Sequence, residues 1–416
     1  MRSKLYLLAL LISMNTVAQT KVVVNITNKS GDSRTDHPII IPLNNYGEIH
    51  SVLVEEYSNN NTSATKEIAC QLDDLNQDDI YDELCFLSDL KGYQQKKYII
   101  TLYNEGTPRI YPPRVYTEML MRNDKVKEKN CHDNYIESIT ARGDCANSYN
   151  LLHHHGVCFE SELNGIRVYF DKRQTLDIYG KILRRLELQQ TQFYTSSKQK
   201  QDNYGDDVLW VGNTFGLGAF RGWNGNEPTM VDPVKSRTQR IVSYGPLRTI
   251  IEIIDRGWKI TPYQEPLNMV IRYTQYAGHR DTDIDIEFDR NVNDYVFSTG
   301  IIDVKGSEEY SDHKGLRACW GTDWPASDTI NWSRETVGLA INLPLQNIIE
   351  EKARDPKSQQ QGCNYTFVIK TNGTKLGYKV AYCSANEKEG FHSAKEWFDW
   401  VKAWKKEIEN PIIVNY

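Results

Sequence analysis

Residues 153–181 carry the side chains best suited to chemistry. Three consecutive histidines precede two short segments in which apolar and polar residues alternate. Successive side chains of an extended strand point to opposite faces, so one face of these segments would be apolar. The opposite face would carry a cation, two phenols, a carboxylate and an amine, which are Arg167, Tyr169, Asp177, Tyr179 and Lys181. Such a face can hold a sugar acid and remove a proton from it.

These two segments predict a β-hairpin. The connecting residues 172–174 form a three-residue loop that keeps the polar side chains on one face. This register places Tyr169 opposite Asp177 and Arg167 opposite Tyr179. The polar face therefore brings ionisable groups into neighbouring positions.

The histidine run, His153, His154 and His155, has three open interpretations. Imidazoles bind zinc, copper or nickel, but in a strand only His153 and His155 would share a face. One ring could instead be packed and another exposed, with a purely structural role. Because histidine titrates near neutral pH, the run also suits acid–base catalysis or carboxylate binding.

Two further segments are candidates for binding. Arg221 and Trp223 follow a glycine-rich stretch and could form a sugar-stacking platform beside a carboxylate, or merely cap the fold. An acidic turn resembles a calcium loop, with oxygens at Asp74, Asn76, Asp78 and Asp82. In that turn Asp79 replaces the usual glycine and Cys85 the final acid, so a solvated turn is favoured and calcium stays a structural alternative.

Composition limits the classes of partner and compartment. The chain has 416 residues, a net charge of −6 and 11% aromatic residues, which argues against nucleic acid and is compatible with stacking on sugars. Residues 1–18 have the charged start, apolar core and small-residue end of an export signal that is too short to span a bilayer. We therefore expect an exported protein without membrane insertion, periplasmic in a Gram-negative source.

Cysteine usage agrees with an oxidising compartment. The eight cysteines are an even number, and the pairs Cys131–Cys145 and Cys363–Cys383 are close enough in sequence to bridge locally. Spacing does not determine their connectivity.

The elements that position these residues are mainly strands. Short alternating segments separated by glycine and proline predict packed antiparallel sheets, with an N-terminal β unit at 19–106 and a larger unit at 107–416. The exception is the C-terminus, where Trp397, Val401 and Trp404 recur with helical spacing. This pattern predicts an amphipathic helix from Ser393 to about residue 411, with a structural role.

Several motifs resemble a known family. They are HHHGVCFESE at 153–162, YFDKRQ at 169–174, DIYGK at 177–181, GDDVL at 205–209, YGPLR at 244–248 and the acidic turn at 71–84. The chain is similar to exported bacterial proteins of polysaccharide-utilisation loci that are classed as a domain of unknown function. Such proteins occur beside, or fused to, unsaturated glucuronyl hydrolases, and one relative is an ulvan oligosaccharide dehydratase. The resemblance implies a galactose-mutarotase-like β-supersandwich.

The resemblance implies a lyase or dehydratase that acts on oligosaccharides containing uronic acid. Elimination across C4–C5 needs a neutralised carboxylate, a base for the C5 proton and an acid for the leaving oxygen. We assign Arg167 or Arg173 to the carboxylate and a histidine of the run or Tyr179 to proton transfer. Lys181 would lower the pKa of Tyr179. The product would suit a neighbouring unsaturated glucuronyl hydrolase, and the residues indicate no particular cofactor.

Other functions remain open from the sequence. The aromatic residues also suit a glycan-binding protein without catalysis. A glycoside hydrolase could use Glu160, Glu162 or Asp177, although their spacing selects no pair. A mutarotase could use histidine with glutamate.

Overall fold

The computed structural model describes residues 19–57, 65–326, 328–330, 332–354 and 363–416. The predicted export signal at 1–18 lies outside the described residues. Within these residues the strands form five antiparallel sheets, which confirms the prediction of a mainly β fold. No helix in this part of the chain is both long enough and apolar enough to cross a bilayer.

The strands follow one another along the chain with short connections. The first thirteen are β1 (Gln19–Thr27), β2 (Arg34–Pro42), β3 (Ser51–Tyr57), β4 (Thr65–Ile68), β5 (Cys70–Asp73), β6 (Glu83–Leu90), β7 (Gln95–Tyr103), β8 (Val115–Glu118), β9 (Ser138–Arg142), β10 (Gly156–Ser161), β11 (Gly165–Tyr169), β12 (Leu176–Gly180) and β13 (Asp206–Asp207). The others described are β14 (Arg221–Trp223), β15 (Pro228–Thr229), β16 (Ser236–Ser243), β17 (Arg248–Trp258), β18 (Leu267–Tyr276), β19 (Asp281–Phe288), β20 (Phe297–Ile302), β21 (Glu308–Ser311), β22 (Leu316–Asp323), β23 (Glu335–Asn342), β24 (Ile348–Glu351), β25 (Asn364–Ile369), β26 (Lys375–Ser384) and β27 (Ile413–Asn415).

Helices are short except at the C-terminus. The α-helices of the described residues are α1 (Leu188–Thr191), α2 (Ser197–Gln201) and α3 (Ala394–Glu409), and 3-10 turns occupy Ser148–Asn150, His153–His155 and Leu345–Asn347.

The N-terminal strands enclose their own core. One sheet has the order β27-β1-β7-β3-β4, and the other has the order β2-β6-β5. Apolar side chains from both sheets, including Val24, Ile41, Val54 and Phe86, are buried together between them. The last strand, β27, pairs with β1, so the C-terminus crosses the predicted boundary at residue 106 and completes this sheet.

The larger core lies beneath a nine-stranded sheet of described strands, β21-β22-β23-β26-β19-β18-β17-β16-β9. Two smaller sheets, β13-β12-β11-β10-β8 and β15-β14-β20-β25-β24, contribute buried side chains to the same apolar cluster. Strand β19 shows how the sequence builds this layer: Ile284, Ile286 and Phe288 are buried, whereas the acids between them face outward. Burial of one face of each sheet therefore orders the body of the protein.

The predicted C-terminal helix is present as α3. The Ser393 side chain accepts a hydrogen bond from the backbone N–H of Glu396, which caps the first turn. Trp397, Val401 and Trp404 are buried against a cluster that includes side chains of β22 and β23. The helix thus covers one end of the large sheet.

Strands β11 and β12 differ from ordinary surface strands because both of their faces are buried. One face contributes Ile166, Val168, Leu176 and Ile178 to the main core. The other face lies beneath the connection 181–205 between β12 and β13, whose residues Leu188 and Phe193 are buried with Tyr179 and Cys158. The candidate site lies on and beside this covered face.

Candidate active site

The hairpin of β11 and β12 exists, but its predicted register is wrong. Arg167 lies opposite Asp177, and Gly165 lies opposite Tyr179. The connection is longer than predicted, with a turn in which the Gln174 N–H donates to the carbonyl of Asp171. The shift is two residues, so the expected side chains still share a face.

A row of polar side chains crosses this sheet. Glu118 of β8 pairs with Cys158 of β10, Cys158 pairs with Arg167 of β11, and Arg167 pairs with Asp177 of β12. Each of these residues is at most 5% exposed. The sheet therefore holds a line of ionisable groups away from solvent.

Arg167 is the centre of this row. Its Nε and Nη2 donate to Asp177 Oδ2 at 3.1 and 2.7 Å, and Nη2 also donates to Asp207 Oδ2 at 2.7 Å. The Tyr169 hydroxyl donates to the same Asp177 oxygen at 2.6 Å. Burial opposes the charge of Arg167, but Tyr169, Asp177 and Asp207 outweigh it and raise its pKa well above the usual value. Arg167 is thus a buried structural cation that two carboxylates hold.

The connection 181–205 closes over the face. Lys181 Nζ donates to Glu160 Oε2 at 2.6 Å, and the backbone N–H groups of Glu187 and Leu188 donate to the same carboxylate. The ring of Phe193 lies 4.3 Å from the guanidinium carbon of Arg167. The connection is therefore anchored at its start and packed onto the row.

Tyr179 does not have the neighbour predicted for it. It is fully buried, and its hydroxyl donates to Glu187 Oε2 at 3.1 Å. Burial, followed by the charge of Glu187, raises the pKa of Tyr179 well above its usual value. Lys181 instead pairs with Glu160. The predicted lowering of the Tyr179 pKa by Lys181 is therefore wrong.

The histidine run is a 3-10 turn rather than a strand. His154 and His155 have φ values of 39° and 74°, so the three rings leave the backbone in separate directions. His153 stacks on His132 with ring centroids 3.7 Å apart, and His155 stacks on Tyr149 at the same separation. The expectation that His153 and His155 share a strand face is wrong.

Burial keeps these imidazoles neutral. It is the largest cause that lowers the pKa of His153 to about 2 and the pKa values of His154 and His155 to about 3. Neighbouring cations add to the effect, since Arg167 lowers the pKa of His154 and of His155. Each ring is therefore uncharged at neutral pH.

His154 points toward two residues that the sequence did not indicate. Its Nε2 lies 3.3 Å from Glu118 Oε1 and 3.8 Å from Cys158 Sγ. Burial raises the pKa of Glu118 to about 7. Because Glu118 ends a strand of only four residues, β8, in which alternation is already lost at the last position, the sequence around it does not predict its role.

An open cavity lies beside Tyr149, the residue that stacks on His155. It has a volume of about 440 Å³ and is lined by Ala141, Arg142, Gly143, Cys145, Asn147, Ser148, Tyr149, Asp171, Lys172, Arg173, Asp232, Val234 and Arg237. Four of these residues are cations, Arg142, Lys172, Arg173 and Arg237. The cavity is within the usual size range for a small-molecule site.

Arg173 and Tyr149 connect the cavity to the histidine turn. The Arg173 guanidinium carbon lies 4.6 Å from the ring centre of Tyr149 and 4.8 Å from that of Tyr169. Arg173 Nε donates to Asp171 Oδ2 at 2.8 Å. His155 Nδ1 lies 3.2 Å from the carbonyl oxygen of Tyr149, so this contact helps to fix the position of Tyr149. Sequence reasoning found Arg173 but missed Tyr149.

The predicted pair Arg221 and Trp223 has a different setting. Arg221 is buried, and its Nη2 donates to Thr175 Oγ1 and to the carbonyl of Thr214, both at 3.0 Å. Burial lowers its pKa to about 10. Trp223 is half-buried with Lys352 Nζ 5.5 Å from its ring centre. Neither residue lines the cavity beside Arg173.

The acidic turn uses its carboxylates internally. Asp74 accepts hydrogen bonds from the backbone N–H groups of Gln77 and Asp79, and Asp82 accepts one from Leu75. Asp78 similarly accepts one from the N–H of Ile80. These bonds are those of a solvated Asx-type turn.

The two local cysteine pairings that spacing allowed are not bridged in the structure. Cys131 and Cys145 both retain free thiols, and Cys383 is a buried free thiol, so neither the Cys131–Cys145 nor the Cys363–Cys383 bridge is present. Cys383 instead packs among apolar side chains beneath α3. Buried cysteine of this kind behaves as a small hydrophobic residue.

Comparisons with known proteins place the chain in a family. A family model described as a domain of unknown function (DUF4861) matches residues 26–414. Because this match covers nearly the whole chain, the protein belongs to that family, and the resemblance noted from its motifs is confirmed at this level. No curated protein matches it significantly.

Two solved structures are similar to the chain. One is an α-mannosidase from Enterococcus faecalis V583, with 8% identity, a TM-score of 0.46 and coverage of 95% of this chain and 46% of that one. The other is a protein in glycosyl hydrolase family 38 from Enterococcus faecalis, with 8% identity, a TM-score of 0.47 and coverage of 94% and 47%. The chain thus spans about half the length of these proteins.

Proposed function

We propose that this family member is a carbohydrate-active enzyme that performs β-elimination on a uronic acid unit of an oligosaccharide. The unit would bind in the cavity between Tyr149, Arg173 and Arg237. The observation that carries the proposal is the combination of four cations, two carboxylates and one phenol around a sugar-sized space, so that the lining keeps a net positive charge. We further propose that the protein is exported and that an unsaturated glucuronyl hydrolase consumes its product.

The cations support binding of an anionic sugar. Arg173 is only partly exposed, with 20% of its side-chain surface accessible, and its Nη1 points toward the carbonyl of Gly212 at 3.4 Å, a long contact. Arg237 is held by Asp255 through Nε at 2.7 Å. A substrate carboxylate placed against Arg173 would be neutralised, which makes the proton on the adjacent C5 more acidic.

Tyr149 is the best-placed group for proton transfer. It lines the cavity, the Arg173 guanidinium lies over its ring, and His155 stacks on it. A tyrosinate would take the C5 proton, the C5–H electrons would form the C4–C5 double bond, and the C4–O bond would break. In a glucuronate H5 and O4 lie on the same side of the ring, so the phenol could return the proton to the departing oxygen.

His155 then has a positioning role. Its neutral ring stacks on Tyr149, and its Nδ1 faces the Tyr149 carbonyl. Since His155 is not among the residues that line the cavity, it would act through Tyr149. His153 and His154 do not line the cavity either, and they contact His132 and Glu118.

Hydrolysis by paired carboxylates has less support. Lys181 holds Glu160, Arg114 holds Glu162, and Arg167 holds Asp177. Glu160 and Asp177 are buried, so they do not reach a substrate in the cavity. A hydrolase mechanism would need the acids that line the cavity, Asp171 and Asp232, and Arg173 already holds Asp171.

The test uses the full chain, a panel of uronic acid oligosaccharides and the ultraviolet absorbance of an unsaturated uronate. Tyr149→Phe keeps the ring stack on His155 and removes the hydroxyl, so we expect a loss of about 100-fold or more in rate. Arg173→Ala should raise KM and lower kcat. Tyr263→Phe is the matched control, because Tyr263 is 97% exposed.

Three outcomes would overturn the proposal. The first is Tyr149→Phe with the rate of the wild type. The second is binding of the oligosaccharides by the wild type without any product, which indicates a glycan-binding protein. The third is cleavage with addition of water, which indicates a hydrolase.

A further inference from the structure

Three potential metal ligands meet beneath the histidine turn. They are Glu118 at the end of β8, Cys158 in β10 and His154 in the turn, and all are at most 1% exposed. Glu118 Oε1 lies 3.3 Å from His154 Nε2 and 3.7 Å from Cys158 Sγ, and Sγ lies 3.8 Å from Nε2. The three atoms thus form a compact triangle.

We propose that Glu118, His154 and Cys158 bind one zinc ion. The usual bond lengths around tetrahedral zinc place a nitrogen and an oxygen ligand about 3.4 Å apart, and a sulfur ligand about 3.6 Å from either. The separations in the triangle are close to these values. Carboxylate, imidazole and thiolate together are ligands that zinc accepts, whereas calcium and magnesium prefer oxygen alone.

The surroundings hold the ligands in place. The Tyr116 hydroxyl donates to Glu118 Oε2 at 2.7 Å, which leaves Oε1 directed at the triangle. The Thr117 hydroxyl donates to the carbonyl of Cys158 at 2.8 Å. His154 has a φ of 39°, an unfavourable value for a residue with a side chain, and this bend turns its ring inward.

The ligands can balance the charge of the ion. On binding, the Cys158 thiol loses its proton to solvent, so that one thiolate, one carboxylate and a neutral imidazole balance Zn²⁺. Arg167 is the neighbouring cation, but Asp177 and Asp207 already hold it at 2.7 Å each. A water molecule would complete the fourth position.

The proposed ion has a structural role that is independent of the proposed reaction. It would join β8, β10 and the histidine turn. His155, which follows the ligand His154 in that turn, stacks on Tyr149. Its ligands are covered by the connection 181–205, since Phe193 lies against His154 with ring centroids 6.4 Å apart. The ion would be acquired as the protein folds.

The experiment measures metal in the full-length protein, produced with zinc, and dialysed against buffer without strong chelator. We expect one zinc per chain, and X-ray absorption should show one sulfur and a remainder of nitrogen or oxygen ligands. Protein refolded with Co²⁺ should show a thiolate-to-cobalt charge-transfer band. Less than a tenth of an equivalent of zinc, or a cobalt spectrum without sulfur, would overturn the proposal.

Variants identify the site. Cys158→Ser and His154→Ala should each lose at least tenfold in zinc affinity, whereas Cys319→Ser, at another fully buried cysteine, should keep one zinc. If Cys158→Ser does not fold, the cobalt spectrum of the wild type still decides the sulfur ligand. Full zinc retention by soluble Cys158→Ser contradicts the proposal.

Discussion

The buried network around Arg167 gives a quantitative prediction. Asp177 Oδ2 accepts from Arg167 Nε and Nη2 and from the Tyr169 hydroxyl, while Oδ1 accepts from the N–H of Ile178 at 2.9 Å. In Asp177→Asn the Oδ1 bond can persist. The amide NH₂ group would then face the N–H groups of Arg167 and the hydroxyl of Tyr169, which are donors as well. Arg167 would keep only one of its two anionic neighbours, Asp207.

The expected cost follows from the burial of this pair. Removing one partner of a buried ion pair costs about 3–5 kcal/mol. Asp207 still holds Arg167 Nη2 at 2.7 Å, so we take the lower end and expect Asp177→Asn to lower the free energy of unfolding by about 3 kcal/mol. Tyr169→Phe removes a hydrogen bond to a charged group and should cost about 1.5–3 kcal/mol.

Urea unfolding followed by circular dichroism measures these effects. The matched control is Asp124→Asn, because Asp124 pairs with Arg122 at 2.7 Å with both side chains at least 49% exposed. That exposed pair should contribute at most about 1 kcal/mol. In a double-mutant cycle, Tyr169→Phe should cost less when Asp177 is already Asn, since the two residues share one bond. Equal stability of Asp177→Asn and the wild type, or strict additivity in the cycle, would refute the reasoning.

Two further predictions concern other parts of the fold. Trp397→Ala should lower the free energy of unfolding by about 3–5 kcal/mol in thermal or urea unfolding, because Trp397 of α3 is fully buried against the large sheet. Trp210→Ala, at a residue that is 40% exposed, should change it by about 0.5 kcal/mol or less. The imidazole of His279 bonds to the carboxylate of Asp281 and to the carbonyl of Asp36, both at 3.0 Å. Burial opposes the charge of this imidazole, but the two bonds outweigh burial and raise the pKa of His279 above 6.5. The stability that His279 contributes is therefore complete below pH 6.5 and is lost as pH rises through the folded-state pKa. The urea midpoint of the wild type should fall more steeply over that range than the midpoint of His279→Gln, and equal slopes would contradict this.

Periodicity predicted the parts of the fold that depend on burial of one face. Trp397, Val401 and Trp404 define α3 because their spacing matches a helix, and α3 ends at Glu409, two residues before Pro411. Strand β19 alternates as expected because only one of its faces is buried. In such elements local pattern and tertiary packing agree.

Turns account for several errors. The connection after β11 is longer than the sequence suggested, so Arg167 lies opposite Asp177 instead of Tyr179. The turn at the histidine run could not be predicted, because the residues with positive φ values, His154 and His155, are not glycines. A stacking partner such as Tyr149 comes from a separate 3-10 turn, and sequence spacing carries no information on that contact.

Contacts between strands that are far apart in the sequence could not be predicted either. Asp207 reaches Arg167 across 40 residues, and Glu118 reaches Cys158 across the same separation. The sequence indicated Arg167, Tyr169 and Asp177 as neighbours because they lie on one hairpin. It gave no such indication for partners on β8 and β13, which are short and lack a clear pattern.

The most direct test of the proposed reaction follows the fate of the C5 hydrogen. A uronic acid oligosaccharide deuterated at C5 of its terminal unit is incubated with the wild type, and the products are weighed by mass spectrometry. Elimination through Tyr149 predicts an unsaturated product that has lost the deuteron together with the C4 oxygen substituent. A product that keeps its deuterium, or an oligosaccharide that stays intact while bound, would contradict the account.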